Sequence, residues 1–208
     1  MNKIKWWVPL ILVFLILMMM GCASTQLVQS WQAPSFGDNP VEKILVLGVF
    51  ENELNRRLYE DAVVKALEKE NRLAITGYSH MTHVADYDEK EKIRTVVGKT
   101  NADAVMIVTL VGVEKKERYM PSRVYYEPVW RNNRELNNYY FVSGNLDYDP
   151  GYMVTDTIVK LEIIVLSVKT EQMIWSGATR SVNPISGKKI AEEAAGLIVQ
   201  DMKKAGFI

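Results

Sequence analysis

Two apolar runs constrain this chain more than anything else in it. Lys43–Phe50 (KILVLGVF) and Asp103–Val113 (DAVMIVTLVGV) carry almost no polar residue and no alternation. Runs of this length, rich in β-branched side chains, suit strands buried on both faces rather than strands with one wet side. A strand of that kind needs a layer packed on each face. The segment between them supplies candidates. In Glu53–Glu70, residues Leu54, Leu58, Ala62, Ala66 and Leu67 recur at helical spacing. Arg56, Arg57, Glu60, Lys65, Glu68 and Lys69 fall largely elsewhere. The pattern predicts an amphipathic helix. Glu51 and Glu53 suit its positive N-terminus, Lys65 and Lys69 its C-terminus, and Asn71 a left-handed stop. Buried strands alternating with helices call for right-handed parallel crossovers.

The rest of the chain extends this plan. Arg72–Gly77 reads as a short strand. Asp88-Glu89-Lys90-Glu91 reads as a capping box opening a helix through Lys99, with Ile93, Val96 and Val97 inward. Thr155–Val168 and Met173–Val182 read as two strands joined by the short turn Lys169–Gln172. Ser186–Ala205 reads as a last helix with Ile190, Ala194, Leu197, Ile198 and Met202 inward and Gly206 closing it. The expected fold is α/β: a single domain over 43–208, with a mixed sheet of about five strands in the order β-α-β-α-β-β-β-α. A long insert, residues 118–152, separates the third and fourth strands.

The N-terminus reads as an address. Lys3 and Lys5 precede Trp6–Met20, an uncharged apolar run of 15 residues, and Gly21-Cys22-Ala23-Ser24 follows. A basic start, a short apolar stretch and a small residue before a cut describe a signal peptide over residues 1–21. Fifteen helical residues reach roughly 22 Å, short of a hydrocarbon core of about 30 Å. Cys22 is the only cysteine in the chain. Met19-Met20-Gly21-Cys22 resembles the bacterial lipobox, with methionines where Leu and Ala or Ser are commoner. The resemblance implies cleavage between Gly21 and Cys22 and acylation of the Cys22 thiol, so that membrane lipid is the first partner. Two or more acyl chains hold a protein stably, at about 0.8 kcal/mol per buried methylene. Cleavage leaves 23 basic and 25 acidic side chains, so the anchor does not rest on basic charge. Ala23 rather than Asp follows the cysteine, which by the same resemblance favours the outer membrane, facing the periplasm, over the inner membrane. Residues 22–42, rich in Ser, Thr, Gln, Pro, Gly and Asn, are expected to form a flexible tether.

The order of elements is similar to the α/β domain shared by the curli-secretion lipoprotein CsgG, the penicillin-binding-protein activator LpoB and the N-terminal domain of TolB. A closer resemblance is to a family of uncharacterised bacterial lipoproteins. It is carried by Lys43-Ile44-Leu45-Val46-Leu47-Gly48, Tyr59-Glu60-Asp61-Ala62, Asn101-Ala102-Asp103-Ala104-Val105, Leu110-Val111-Gly112-Val113-Glu114 and Ile174-Trp175-Ser176-Gly177. These motifs read mostly as strands and turns. The resemblance implies a fold and an envelope setting and assigns no activity.

The insert Arg118–Tyr152 holds seven of the ten tyrosines, with Trp130, Phe141 and the arginines 118, 123, 131 and 134. Loops this long in compact domains are functional or disordered, and this one is too aromatic for ordinary disorder. Tyr, Trp and Arg dominate protein interface hot spots. Tyr119, Tyr125, Tyr126, Trp130, Arg131, Arg134, Tyr139 and Tyr140 are therefore the candidate partner-binding residues. The competing structural reading is a hairpin, Val124–Trp130 pairing with Asn138–Val142, whose aromatics pack on each other or on the domain. Self-assembly into a homo-oligomer uses the same residue types.

Other chemistries find little support. Lys and Arg balance Asp and Glu at 25 each, so no net charge favours nucleic acid. His80 and His83 are the only histidines, and zinc wants three or four ligands. Asp86 and Asp88 are the nearest additional oxygens in sequence. Gly98-Lys99-Thr100 echoes a phosphate loop, but Ile93 stands where its first glycine belongs and the triplet ends a helix instead of opening one. No G-x-S-x-G occurs. Asp147-Tyr148-Asp149-Pro150-Gly151 reads as a turn. The chain is expected to be non-catalytic, without metal or cofactor, and to bind an envelope protein partner. An oligomeric subunit of an envelope secretion or assembly complex is the alternative. A hydrolase or metalloenzyme ranks last.

Overall fold

The computed structural model describes residues 24–34, 41–81, 83, 89–129 and 143–208, with the backbone alone at 126–129 and 143–146. Strands are β1 (Thr25–Gln32), β2 (Lys43–Val49), β3 (Leu73–Thr76), β4 (Ala104–Met120), β5 (Arg123–Val129), β6 (Ser143–Asp149), β7 (Tyr152–Ser167) and β8 (Met173–Val182). Helices are α1 (Glu53–Lys69), α2 (Lys90–Thr100) and α3 (Gly187–Lys204), with a 3-10 turn at Gly77–Ser79. The chain forms two compact units. One takes the residues up to Val113 together with Ile158–Ile208, and the other takes Glu114–Thr157.

The larger unit is a six-stranded sheet in the order β1-β8-β7-β4-β2-β3. β2 pairs in parallel with β3 and with β4, while β8 pairs antiparallel with β7 and β1. The sheet is mixed, as expected, but has six strands rather than about five. The pleat sends alternate residues of β2 to opposite faces. Ile44 and Val46 join a core with Tyr59, Val63 and Leu67 of α1 and Ile198 and Met202 of α3. Leu45 and Leu47 join a smaller core with Val96 of α2, Met81 and Val105. Helices therefore cover both faces, which is why β2 reads as an unbroken apolar run.

Local chemistry sets the helix ends. The Asn52 side chain accepts from the Leu54 and Asn55 amides at 2.9 and 3.1 Å and starts α1. The Ser186 hydroxyl accepts from the Lys189 amide and starts α3. Asn71, Asn101 and Gly206 take positive φ just past the three helices, as a left-handed stop requires. α1 and α3 run side by side in the same direction. Lys203 and Glu70 pair at their C-terminal ends, and a Cβ on Gly187 would lie 3.9 Å from Asn55 Oδ1 at their N-terminal ends.

Several expectations need correction. Thr25–Gln32, placed within the flexible tether, is an edge strand of the main sheet. Its pattern was hidden because one face is exposed and a bulge between Leu27 and Gln29 breaks the alternation. The buried stripe of α1 is Arg56, Tyr59, Glu60, Val63 and Leu67, with Leu54 exposed. Two charged residues lie inside it because they satisfy each other there. The N-cap of α2 is Glu89, which makes no side-chain capping bond, and Asp88 of the expected capping box lies outside the described residues. The insert carries a hairpin in which β5 pairs with β6 at Ser143–Asp149, and Asn138–Val142, the expected partner segment, lies outside the described residues. Gly144, Asn145, Asp147 and Asp149 give β6 low strand propensity, so its sequence concealed it.

Candidate functional site

Cys22 and Gly21, the expected attachment and cleavage residues, lie outside the described residues. The described chain starts at Ser24, and it starts docked. The Ser24 carbonyl accepts from the Val182 amide at 3.0 Å. The Thr25 hydroxyl meets that of Ser181 at 2.8 Å in a buried position. The Thr25 amide and the Ser24 hydroxyl both donate to Glu193 Oε2 of α3, at 3.0 and 3.2 Å. Desolvation opposes ionisation of Glu193, but the bonds from Thr25 and Ser24 and the Lys189 ammonium outweigh it and hold this carboxyl below its ordinary value. Thr25–Gln32 is part of the folded sheet.

The smaller unit bears the aromatic candidates. β5 and β6 form a two-stranded ribbon in which Val124 lies opposite Tyr148, Tyr125 opposite Asp147 and Arg123 opposite Asp149. One face thus presents Arg123 and Tyr125 with two aspartates, and the other presents Val124 and Tyr148. Tyr119, Tyr125, Tyr148 and Tyr152 are each between 50% and 63% exposed. Arg123 Nη1 donates to Tyr125 Oη at 3.4 Å, and that bond, with the Tyr125 and Tyr152 hydroxyls and Asp149 nearby, raises the guanidinium further. Tyr119 lies against Gly151, where a Cβ would fall 2.2 Å from the phenol oxygen. Arg118 pairs with Asp156 at 3.4 Å. Of the eight partner-binding candidates, Tyr119 and Tyr125 are exposed as that role needs. Tyr126 sits on β5 by its backbone. Trp130, Arg131, Arg134, Tyr139 and Tyr140 lie outside the described residues. Tyr148 and Tyr152, not among the candidates, are exposed as well, and alternation along β6 is the signal that points to Tyr148.

A second constellation was missed. Arg56 and Glu60 are both completely buried, one turn apart on α1, with Nε 3.3 Å from Oε1. Glu60 also accepts from the Gly48 and Tyr78 amides, each at 2.9 Å. Arg56 donates to Glu53 at 3.2 Å and to the Met81 carbonyl. The cluster lies at the C-terminal ends of β2 and β3, where open α/β sheets place ligands. Here its polar atoms bond to one another, to Glu53 and to the backbone of Gly48, Tyr78 and Met81. It clamps strand, helix and 3-10 turn together. Gly48 permits the approach, since a Cβ there would sit 3.2 Å from both the Arg56 carbonyl and Glu60 Cγ.

His80 is exposed after the 3-10 turn, and His83 is exposed too. Among the described residues no three His, Cys, Asp or Glu side chains converge as a metal site. Asp86 and Asp88 lie outside them. Gly98-Lys99-Thr100 closes α2, and Asp147 and Asp149 belong to β6. An apolar groove of about 420 Å³ runs between α2 and the sheet, walled by Ile93, Val97, Ile107 and Leu166, with Arg94 paired to Glu171 at its rim. Among the described residues no helix is long and apolar enough to cross a membrane.

No family model and no curated protein matches the chain. Among solved structures it is similar to the PelC dodecamer from Paraburkholderia phytofirmans, at 11% identity, over 84% of this chain and 94% of that one, with a TM-score of 0.44. It is also similar to lipoprotein GNA1162 from Neisseria meningitidis, at 12% identity, over 78% of this chain and 98% of that one, with a TM-score of 0.43.

Proposed function

We propose that the mature protein is a lipid-anchored cell-envelope module, held at the outer membrane facing the periplasm, that binds an envelope protein through its aromatic insert and carries out no catalysis. The observation that carries this reading is the placement of the single cysteine: Cys22 closes the apolar leader, and the folded sheet begins three residues later at Thr25. The exposed tyrosines of the ribbon support the binding half. Tyrosine gives wide contact area at low entropic cost, and Arg123 beside Tyr125 adds a charged donor to that surface. Pull-down from envelope extracts with the intact protein and with a variant lacking 118–152 tests it. Loss of the partner with the insert supports the reading, and equal recovery contradicts it.

A second reading, an oligomeric assembly subunit as the CsgG-like element order implies, draws on β1, an edge strand of the sheet among the described residues. Val28 and Trp31 are exposed there, on an edge strand able to face another copy. Light scattering of the acylated protein in detergent separates the two, since a monomer at micromolar concentration excludes assembly.

A further inference from the structure

We infer that the side of the fold formed by the start of β1, the loop Asn183–Ser186 and the N-terminal end of α1 is a bilayer-contact face, with Ile185 and Leu54 entering the boundary between lipid headgroups and acyl chains. The inference rests on the lipid-anchor reading of Cys22 and deepens it. Ser24 is the second residue after Cys22, and two extended residues span at most about 7 Å. Eight of the residues expected to form a spacer are consumed by β1. Ser24 and Thr25 are then fixed to Val182, Ser181 and Glu193. An acylated Cys22 therefore holds this end of the fold against the membrane surface.

The residues at that end suit such a place. Val182, bonded to Ser24, leads into the loop Asn183–Ser186, where Asn183 takes a positive φ of 47° and Pro184 follows. Ile185 is left 89% exposed, the most exposed large apolar side chain described. Leu54, 65% exposed, lies in the first turn of α1, whose Asn55 neighbours Gly187. The first turn of α3 carries Lys188 and Lys189 and no acid, contrary to what the helix dipole favours. Both ammonium groups are half-exposed or more, paired within the helix to Glu192 and Glu193. The opposite end of β7 and β8, roughly 26 Å away over eight strand residues, differs. Its turn is Lys169-Thr170-Glu171-Gln172, polar and exposed throughout.

The test uses the full chain, made with its leader in a bacterial host and reconstituted into vesicles of phosphatidylethanolamine and phosphatidylglycerol containing nitroxide-labelled lipid. Ile185→Cys and Lys169→Cys each carry an environment-sensitive fluorophore, and intact mass is taken on the same samples. Both positions are exposed, so neither change threatens folding. The expected result is a blue-shifted label at 185, quenched several-fold more than the label at 169. Equal quenching on acylated protein overturns the contact face and leaves the anchor standing. A mass showing Cys22 without lipid overturns both.

Discussion

Thr25 and Ser181, 156 residues apart in sequence, share a buried hydrogen bond of 2.8 Å between their hydroxyls at the start of the edge strand. Each hydroxyl satisfies the other where water does not reach, and together with Glu193 they fasten the start of β1. Removing one strands its partner, which costs the desolvation of a buried polar group. Thr25→Val is expected to lower stability by about 1–2 kcal/mol, read from the urea midpoint. Combining it with Ser181→Ala should cost less than the sum, because neither hydroxyl is then left alone.

Glu193 makes this docking pH-dependent. Its carboxyl sits below the ordinary 4.5 when the protein is folded. A lowered folded value means that its contribution is complete above the unfolded value and disappears as pH falls through the folded one. The protection of the Thr25 amide, its exchange measured against the intrinsic rate at each pH, should therefore fall as the pH drops below about 4.5. Glu193→Gln should show faster exchange already at neutral pH and a flatter acid response. An unchanged acid limb in that variant would assign the effect to another group.

The buried Arg56–Glu60 pair predicts an asymmetric mutational response. Removing one partner leaves an uncompensated charge in the core, at about 3–5 kcal/mol. Arg56→Met and Glu60→Gln are each expected to fall in or near that range by urea unfolding. The double variant Arg56→Met with Glu60→Leu should recover a substantial part, since a packed apolar pair replaces the charges. Recovery is limited by the Gly48 and Tyr78 amides, which lose the acceptor they share.

Trp175 explains a glycine. The indole is completely buried, its Nε1 donates to Asp201 at 3.2 Å, and its ring covers Gly177, where a Cβ would lie 2.4 Å from Cη2. Overpacking of this kind costs about 1–3 kcal/mol. Gly177→Ala should lower the thermal midpoint and shift tryptophan emission, whereas Gly112→Ala, with open space around it, should do neither.

The parts of the fold that were legible in the sequence share a physical cause. β2, the opening of β4, and β8 announce themselves by apolar content, and α3 by a stripe from Ile190 to Met202 that nothing interrupts. α1 is a helix as expected, with Leu67 buried and Ala62 and Ala66 packed against the core, but its buried stripe is rotated toward Arg56 and Glu60. Hydrophobicity assigned Leu54 inward and Arg56 and Glu60 outward, whereas three backbone groups and Glu53, all distant or ambiguous in a linear reading, make the charged pair the buried one. β1 failed for a related reason. It owes its place to pairing with β8, about 150 residues later, and an exposed, bulged edge strand has little apolar pattern of its own. Within the candidate site, Tyr119 and Tyr125 were identifiable by residue type alone. Tyr148 required the register of β6, which its Gly, Asn and Asp residues conceal.

The account depends above all on Cys22 carrying lipid. Intact-mass analysis of the native product, extracted from envelopes of cells making the full chain, measures this directly. The account predicts a chain that begins at Cys22, heavier than its peptide by a diacylglyceryl group, and a Cys22→Ser variant that keeps its leader and gains no lipid. A product that retains Met1–Gly21 and a free thiol would contradict it.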